Sequence, residues 1–511
     1  MPHSRKKRLI VCCDGTWMNS DRGIDPDTGG PQAPSNVTRL VRSLKSEALE
    51  NPGDPNSNYI TQLKYYQAGV GTGIGLWDRF VGGGTGLGLS EHIREAYAFI
   101  ANNYRESSDP SGADEIFLFG FSRGAFTARS IAGFIGYFGL LTSKGMDYFY
   151  EIFKDYENAN VPNWVSPYPN KPFPNKPKFS DPGWKKQYQD RLVMDGLTRL
   201  NVGIKVVGVW DTVGSLGIPT VSWIDKLPWP FPSNKELLFF DTQLDNENIE
   251  YAFQALALDE MRWSFPPSVW ELPPGVHSNI GGGLADQQLA DITLAWMMSQ
   301  VGDMLDFDGD YVRRQWDKTR IQEINPREWS FGKVHHMAYK GAGNIDTTHN
   351  SAAYAIAGDH SVRTPGQYRK IPPPVAPNAS TEPLQDTGEC IHASVRIRLG
   401  LGGPGINDDN DGLITDLRRG IGLGPKKGYR AEALEAADGR HAWKCVSGSG
   451  DNPNSMATRR QIYWEAVPTG LRLPKGFKRV LPEDELGKWE IELLKRWPNL
   501  WRGFWEVSPK L

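Results

Sequence analysis

The chain has 511 residues, and its 57 lysines and arginines against 60 aspartates and glutamates give a formal net charge of −3. This near-neutral balance excludes bulk electrostatic attraction to nucleic acid, so we expect no nucleic-acid partner. Four cysteines in this length exclude a disulfide scaffold, and no Cys and His cluster has the spacing of a zinc site. We therefore expect neither a metal nor a cofactor.

The amino-terminal segment does not have the pattern of a signal peptide. Its apolar stretch, Leu9 to Cys13, is far shorter than the roughly 20 residues that cross a bilayer. The apolar segment 125–141 contains Arg129 and three glycines, which is typical of a helix packed inside a protein core. With a mean hydropathy of −0.48, the sequence predicts a cytoplasmic protein without a transmembrane helix.

Strands and helices alternate at the start of the chain. Hydrophobic periodicity predicts a strand, a helix, a second strand and a second helix, at residues 8–13, 35–41, 59–67 and 90–104. The first strand runs into Asp14-Gly15-Thr16-Trp17. A glycine-rich loop at 69–88 lacks the Gly-Lys-Ser/Thr ending of a phosphate-binding loop, so no phosphate-binding loop is predicted there.

The pentapeptide Gly120-Phe121-Ser122-Arg123-Gly124 is the strongest local motif. It follows an apolar run, 116–119, that predicts a buried strand, and it precedes a predicted helix at 125–132. In this context the pattern predicts a nucleophile elbow with Ser122 at its tip. The two glycines remove side chains that would collide with the sharp turn, so the hydroxyl can project. A tight turn without chemistry is the alternative interpretation.

The middle of the chain begins with an irregular segment. Residues 143–200 are rich in Pro, Lys, Asn and aromatic residues, and we interpret them as an insertion outside the core. A strand is then predicted from Val202 to Trp210, and it ends at Asp211. His277 follows in a loop of small residues. Around that loop the pattern predicts a short strand and two helices, at residues 237–240, 249–258 and 291–301.

This order of elements predicts an α/β protein with a mostly parallel central sheet and helices on both faces. We assign residues 1–305 to a catalytic domain, with the insertion at about 143–200. Periodicity weakens beyond residue 305, where a linker-like segment at 362–389 precedes a Trp-rich end. We interpret residues 306–511 as a C-terminal extension that packs on the core. The sequence does not indicate an oligomeric state.

A serine nucleophile needs a histidine base, and the imidazole needs a carboxylate that fixes its tautomer. In α/β-hydrolases these residues occur in the chain order Ser, Asp or Glu, His. Ser122, Asp211 and His277 follow that order, and Asp211 comes directly after a strand. The alternative interpretations are a turn former for Asp211 and a backbone-bonded histidine for His277.

Other histidines and acids offer alternatives. His392, in Ile-His-Ala-Ser-Val-Arg, is the main alternative base, whereas His335 and His336 lie on a predicted strand and are interpreted as structural. Asp241 and Asp259 are the alternative acids, and Asp259 follows a predicted helix instead of a strand.

An oxyanion hole needs two peptide N–H groups. One is predicted to be that of Arg123, the residue after the nucleophile. The other is predicted to come from Gly15 or Thr16, because Gly15 permits close backbone approach at a strand end. The glycine loop at 69–75 is the alternative source, and Asp14 is expected to orient the Gly15 loop by hydrogen bonding.

Six motifs in roughly the first 300 residues carry a family resemblance. They are Cys13-Asp14-Gly15-Thr16-Trp17, Gly69-Val70-Gly71-Thr72, Gly120-Phe121-Ser122-Arg123-Gly124-Ala125, Val209-Trp210-Asp211-Thr212-Val213-Gly214-Ser215, Ala255-Leu256-Ala257-Leu258-Asp259-Glu260 and Val276-His277-Ser278-Asn279-Ile280-Gly281-Gly282-Gly283. As an ordered set they resemble the widespread, uncharacterised α/β-hydrolase family that includes the first class of bacterial type VI secretion lipase effectors.

The resemblance implies an α/β-hydrolase domain whose understood members cleave phospholipid acyl esters with a Ser-Asp-His triad. Carried onto this sequence, the triad is Ser122, Asp211 and His277. Gln254 stands where relatives often have histidine, and Asn279 where aspartate is common, and both changes alter the polarity expected around the site. We expect no attached secretion or toxin domain, so only the chemistry is carried over.

Three functional hypotheses follow. The first is a serine hydrolase that cleaves a small-molecule or lipid-like acyl ester, with aromatic segments at 160–190 and 219–233 forming either an apolar lid or ordinary packing. The second is a catalytically silent binding protein that keeps the fold. The third is peripheral membrane contact through the basic, Trp-rich carboxyl terminus.

Overall fold

A computed structural model describes residues 3–15, 18, 33–51, 54–69, 87–107, 112–159, 164–212, 248–258, 277–284, 286–322, 329–333, 340–341, 345–346, 388–400, 441–447, 462–468 and 480–497. The strands are β1 (His3–Cys13), β2 (Glu47–Leu49), β3 (Tyr59–Gln67), β4 (Glu115–Phe121), β5 (Leu140–Leu141), β6 (Thr198–Arg199), β7 (Ile204–Trp210), β8 (Ile249–Ala255), β9 (Lys340–Gly341), β10 (Ile345–Asp346), β11 (Ile391–His392), β12 (His441–Ser447), β13 (Ile462–Pro468) and β14 (Val480–Asp484). The helices are α1 (Asn36–Ser43), α2 (Leu87–Asn103), α3 (Arg123–Phe138), α4 (Ser143–Met146), α5 (Phe149–Glu157), α6 (Trp184–Met194), α7 (His277–Gly281), α8 (Gln288–Val301), α9 (Gly309–Gln322), α10 (Ala393–Gly400) and α11 (Lys488–Leu494).

Six strands form the central sheet, in the order β2-β3-β1-β4-β7-β8. Every pairing in it is parallel except that of β2 with β3. The predicted α/β class with a mostly parallel sheet is therefore confirmed. Parallel strands end at one edge of the sheet, and the register pairs Phe121 with Trp210 and Cys13 with Gly120. Asp14, Ser122 and Asp211 therefore follow neighbouring strand ends.

Alternation along the strands separates two apolar clusters, one on each face of the sheet. On β1, Leu9 and Val11 belong to one cluster, whereas Ile10 and Cys12 belong to the other. The first cluster includes residues of α2 and α3, and the second includes residues of α1, α8 and α9. Helices thus cover both faces, which explains why β1, β4 and β7 are apolar runs without a polar side.

The prediction of a helix at 249–258 is wrong, because residues Ile249–Ala255 form β8. This strand pairs in parallel with β7 along its length. Its sequence alternates larger apolar residues with Glu250, Ala252 and Gln254, which is the period of a strand. Tertiary pairing with β7 decides the conformation over the helix propensity of its alanines and glutamate.

The segment interpreted as an insertion outside the core instead joins the apolar cluster on the α3 face. Phe173 and Tyr188 are buried there, and the Tyr188 ring stacks on Phe138 with centroids 4.8 Å apart. Phe134 makes an edge contact with Phe149 at 5.6 Å. We call the described residues 143–159 and 164–200 the lobe. The correction has a physical reason: its aromatic residues have no regular period, but they share one hydrophobic site on α3.

A buried ion pair holds the lobe together. Asp155 is fully buried, and its Oδ2 accepts hydrogen bonds from Lys176 Nζ at 2.5 Å and from Tyr188 OH at 2.8 Å. Burial lowers the pKa of Lys176, and the carboxylate of Asp155 opposes that fall. Removing one partner of such a pair leaves an uncompensated buried charge. The stability of the lobe therefore depends on both Lys176 and Asp155.

The C-terminal segment packs against α8. Strands β11, β14, β12 and β13 form a second sheet in that order. Trp296 donates its Nε1–H to Asp484 at 2.8 Å, and the Trp489 N–H donates to the Ser299 hydroxyl at 3.0 Å. Leu494 of α11 is fully buried in the same cluster as α8. The linker-like residues 362–387 and the expected strand at 237–240 lie outside the described residues.

In the part of the chain that the structure describes, no helix combines the length and apolar character that crossing a bilayer requires.

Candidate active site

Ser122 occupies a sharp turn between β4 and α3. Its backbone has φ 56° and ψ −120°, a conformation that costs a non-glycine residue free energy. The Ser122 N–H donates to Trp210 O at 3.1 Å, and its carbonyl accepts from Phe126 N at 3.2 Å, so both neighbours hold the strained residue in place. The side chain is largely buried, with 8% of the residue exposed. This is the geometry predicted for the elbow.

The two glycines of the pentapeptide are required by close backbone contacts. A Cβ on Gly120 would lie 2.3 Å from the Gly124 carbonyl oxygen. A Cβ on Gly124 would lie 2.1 Å from the Cys13 carbonyl oxygen and 2.5 Å from that of Asp14. The start of α3 therefore crosses the end of β1 at a separation that only glycine allows.

Asp211 lies directly beside the elbow. It follows β7, is fully buried, and has a positive φ of 38°. Its N–H donates to Ala255 O at 2.7 Å, and its Oδ1 accepts from Ala257 N at 2.9 Å. The Ser122 N–H donates to the carbonyl of Trp210, which is the residue directly before Asp211. The backbones of the predicted nucleophile and the predicted acid are therefore close together.

Two polar side chains bind Thr212, the residue after the predicted acid. Arg129 of α3 donates to Thr212 Oγ1 at 3.5 Å, and Gln254 of β8 donates to the same oxygen at 3.3 Å. Gln254 is fully buried, and its Oε1 meets no hydrogen-bond partner among the residues that the structure describes. Gln254 is therefore hydrogen-bonded to Thr212, the residue that follows the predicted acid.

His277 is the first residue of α7, and its side chain lies outside the described part of the structure. The helix itself is held firmly at its other end. The Ile280 carbonyl accepts from Asn36 Nδ2 at 2.9 Å and from Thr293 Oγ1 at 2.6 Å. A five-residue helix rises only about 6 Å from first to last residue, so the His277 backbone lies near this anchor. His277 as the base stays a prediction.

Phe121 connects α7 with the elbow, and sequence reasoning missed it. Its fully buried ring lies against two glycines: a Cβ on Gly281 would be 2.0 Å from Phe121 Cε2, and one on Gly15 would be 2.8 Å from Cδ1. The ring of the residue before the nucleophile thus separates the loop after β1 from the end of α7. The sequence signal that could have found this contact is a glycine in each of two motifs, Gly15 and Gly281, together with an aromatic residue directly before the serine of the elbow.

His392 has both ring nitrogens engaged within the C-terminal segment. Nδ1 lies 2.6 Å from Ser394 Oγ, and Nε2 lies 2.5 Å from Glu490 Oε1. Burial lowers the pKa of His392, but the Glu490 carboxylate outweighs it with help from Asp484 and Glu483, so the pKa is raised. Ser394 and Glu490 are fully buried and His392 is 4% exposed, so substrate does not reach this set. The geometry argues against His392 as the base for Ser122.

The three predicted oxyanion donors, the N–H groups of Gly15, Thr16 and Arg123, differ in what the structure shows of them. The Gly15 N–H donates to Asp14 Oδ1 at 2.7 Å, so it is already engaged and the geometry does not support it as an oxyanion donor. Thr16 lies outside the described residues. Arg123 is the first residue of α3, so its N–H lies at the amino end of that helix. Burial lowers the pKa of the Arg123 side chain to about 10.

The remaining candidates include residues outside the described structure and one residue of α7. Asp241, Asp259, His335 and His336 lie outside the described residues. Asn279 is buried and donates to the Lys333 carbonyl at 2.9 Å, so it ties α7 to a neighbouring segment. Among described residues, no three His, Cys, Asp or Glu side chains are grouped so that they could hold a metal ion.

Comparisons with known proteins give one curated relative and one solved structure. A curated relative, the uncharacterized protein YEL023C of Saccharomyces cerevisiae, is 28% identical over 279 residues, which cover 51% of this chain and 32% of the yeast protein. The chain thus spans about a third of that relative's length. Among solved structures, the Tle1 effector bound to the VgrG spike of the type 6 secretion system is 19% identical, with a TM-score of 0.29, and the match covers 55% of this chain and 52% of that one.

The family model described as "T6SS, Phospholipase effector Tle1-like, catalytic domain" matches residues 7–300. These residues include β1, the elbow, Asp211 and α7, which are the elements that meet at the site. Because the match covers more than half of the chain, the protein belongs to the family of Tle1-like phospholipase effector catalytic domains.

Proposed function

We propose that the chain is a serine ester hydrolase that cleaves a lipid-like carboxylic ester through an acyl-enzyme. One observation carries the proposal: Ser122 sits at positive φ between β4 and α3, and its N–H bonds to the carbonyl of Trp210, the residue before Asp211. A strained turn of this kind persists only where its surroundings determine it, and a nucleophile elbow is the use that fits a serine there.

The mechanism assigns one step to each residue. Ser122 Oγ attacks the ester carbonyl while His277 takes the hydroxyl proton, and Asp211 holds the imidazole in the correct tautomer. The oxyanion is stabilised by the N–H of Arg123 and by that of Thr16. His277 then gives the proton to the leaving alcohol, and water hydrolyses the acyl-enzyme by the reverse proton path.

A lipid-like substrate is the finer part of the proposal. It is supported by the family description, which names phospholipase effectors. The lobe does not supply a lid in this proposal, because its ring contacts begin at Phe134. That residue lies twelve positions after Ser122, about 18 Å along α3. The acyl site is therefore expected at the sheet edge near Phe121, and the lobe is expected to act in packing.

The test combines active-site labelling with turnover. A fluorophosphonate probe is applied to the wild type, Ser122→Ala and Ser130→Ala, and the labelled peptide is identified by mass spectrometry. Ser130 is the matched control, since it is a buried serine of α3, the helix that begins after Ser122, and its hydroxyl donates to Phe126 O at 2.9 Å. We expect labelling at Ser122, and a fall of about 10⁴-fold or more in kcat for p-nitrophenyl butyrate with Ser122→Ala alone.

Fatty-acid release from phosphatidylcholine vesicles tests the substrate class separately. Release that requires Ser122 supports the lipid-like substrate, whereas turnover of p-nitrophenyl esters without any release refutes it and leaves the ester hydrolase. A wild type that neither labels nor turns over any ester would instead identify a silent binding protein with this fold.

A further inference from the structure

Asp14 presents a buried carboxylate with four hydrogen-bond donors at the end of β1. Its Oδ1 accepts from Gly15 N at 2.7 Å. Its Oδ2 accepts from Ser35 Oγ at 2.7 Å, Tyr66 OH at 2.8 Å and Thr38 Oγ1 at 3.0 Å. Asp14 is 3% exposed, and burial raises its pKa against the opposing effect of these four bonds. A buried carboxylate is costly unless it is satisfied in this way.

The Asp14 backbone touches the elbow. A Cβ on Gly124 would lie 2.5 Å from the Asp14 carbonyl oxygen, and a Cβ on Gly15 would lie 3.3 Å from Ser122 Cβ. The peptide that Asp14 orients is thus in contact with the nucleophile. Since the Gly15 N–H donates to Asp14 Oδ1, the plane of the peptide between Asp14 and Gly15 is fixed.

The same carboxylate also reaches the segment that anchors α7. Ser35 caps α1 by accepting from Thr38 N at 3.1 Å, and it forms an isolated bridge with Gly282. The next residue, Asn36, donates to the Ile280 carbonyl at 2.9 Å. A change at Asp14 is therefore transmitted through Ser35 to the carboxyl end of α7.

We propose that Asp14 is a positioning residue for the reaction, which sets the loop after β1 and the end of α7 relative to Ser122. The inference rests on the proposed hydrolase function. An ionised carboxylate only accepts hydrogen bonds. Donors from the loop after β1, from α1 with its cap and from β3 all bind Asp14, so these three elements are held in one relative arrangement. A purely structural N-cap network would stabilise α1 without affecting the chemical step, and this difference makes the inference testable.

The experiment compares Asp14→Ala and Asp14→Asn with Asp155→Asn. Asp14→Asn is expected to fold, because the amide oxygen can accept from Gly15 N and the two amide N–H groups can donate to two of the three hydroxyl oxygens. Asp155→Asn is the matched control. Asp155 is also a buried carboxylate that accepts hydrogen bonds from an amine and a hydroxyl, but it lies in the lobe. For each variant we measure kcat and KM for p-nitrophenyl butyrate, the rate of fluorophosphonate labelling, and thermal unfolding.

We expect Asp14→Ala to lower kcat and the labelling rate by about 100-fold, the effect of losing one oxyanion donor, with KM changed by less than about threefold. Asp14→Asn is expected to lower kcat by about 10-fold, because a neutral amide oxygen holds the Gly15 N–H less strongly than a carboxylate does. Asp155→Asn is expected to lower the melting temperature and leave kcat within about twofold of the wild type.

Stability loss at Asp14 with kcat kept within twofold of the wild type would overturn the inference and leave Asp14 as a helix cap. Should Asp14→Ala fail to fold, the kcat of Asp14→Asn alone decides by the same threshold. A wild type that neither labels nor hydrolyses esters overturns the hydrolase function itself. This result differs from an active wild type whose kcat does not change when Asp14 is substituted.

Discussion

Substituting Gly281 by alanine tests the contact between α7 and the elbow. The added Cβ would lie 2.0 Å from Phe121 Cε2 and 2.1 Å from Cδ2, whereas carbon atoms normally pack at about 3.5–4.0 Å. The ring has no room to retreat, since Gly15 closes its other side, where a Cβ would lie 2.8 Å from Cδ1. Either α7 or the Ser122 turn must therefore move by about 1.5 Å.

The two consequences have different sizes. Overpacking of a filled core costs about 1–3 kcal/mol, so we expect the free energy of unfolding to fall by that amount. A misplacement of about 1 Å at a reacting centre costs about 100-fold in rate, so we expect kcat to fall by roughly that factor. Activity should thus fall further than the loss of stability alone explains.

Urea unfolding, ester turnover and fluorophosphonate labelling measure these effects side by side. Gly203→Ala is the matched control, because a Cβ there meets nothing within 4 Å. The double variant Gly281→Ala with Phe121→Leu has a smaller side chain opposite the new methyl group. We expect it to recover part of the stability that Gly281→Ala loses, which gives a favourable coupling between the two positions.

Wild-type turnover and unchanged stability in Gly281→Ala would refute the reasoning, because they would mean that Phe121 does not fill the space between Gly15 and Gly281. Equal losses in Gly203→Ala would also refute it, since the effect would then belong to the alanine and not to the contact.

Two further predictions concern the C-terminal segment. Because Glu490, Asp484 and Glu483 raise the pKa of His392 against the effect of burial, the stability from its charged form is complete below about pH 6.5 and is lost as the pH rises through the higher folded pKa. Unfolding free energies measured from pH 6 upward should therefore fall more steeply in the wild type than in His392→Asn, and parallel curves would contradict this. Leu494→Ala, at a fully buried site in the cluster that contains α8, should cost about 2–5 kcal/mol in the unfolding of the catalytic domain. A separate low-temperature transition with the catalytic domain unchanged would show that the segment folds independently.

The elements nearest the site could be predicted because their sequences are locally unambiguous. Strands β1, β4 and β7 are buried on both faces, so they are continuous apolar runs that few other structures explain. The positive φ of Ser122 followed from glycines at 120 and 124, since the turn leaves no room for side chains there. The position of Asp211 beside Ser122 followed from the edge at which parallel strands end.

The remaining features depend on contacts between distant parts of the chain. Strand β8 is decided by pairing with β7, and the lobe's aromatic residues are ordered by α3 and not by their own spacing. Strand β11 pairs with β14, whose residues lie far along the sequence, so no local pattern revealed it. The engagement of Gly15 by Asp14 and of His392 by Glu490 is a matter of side-chain direction, which residue type alone does not determine.

The lobe occupies the single crossover that joins β4 to β7, between Phe121 and Ile204. The cost in chain entropy of closing such a connection grows only with the logarithm of its length, about 0.6 kcal/mol for each doubling. Changing the length of this crossover therefore alters the closure entropy that opposes the pairing of β4 with β7 by little, as long as the buried lobe residues that pack on α3 are kept. The spacing of Ser122 and Asp211 along the chain is consequently free to drift during evolution, while their separation in space is held by one row of strand pairing.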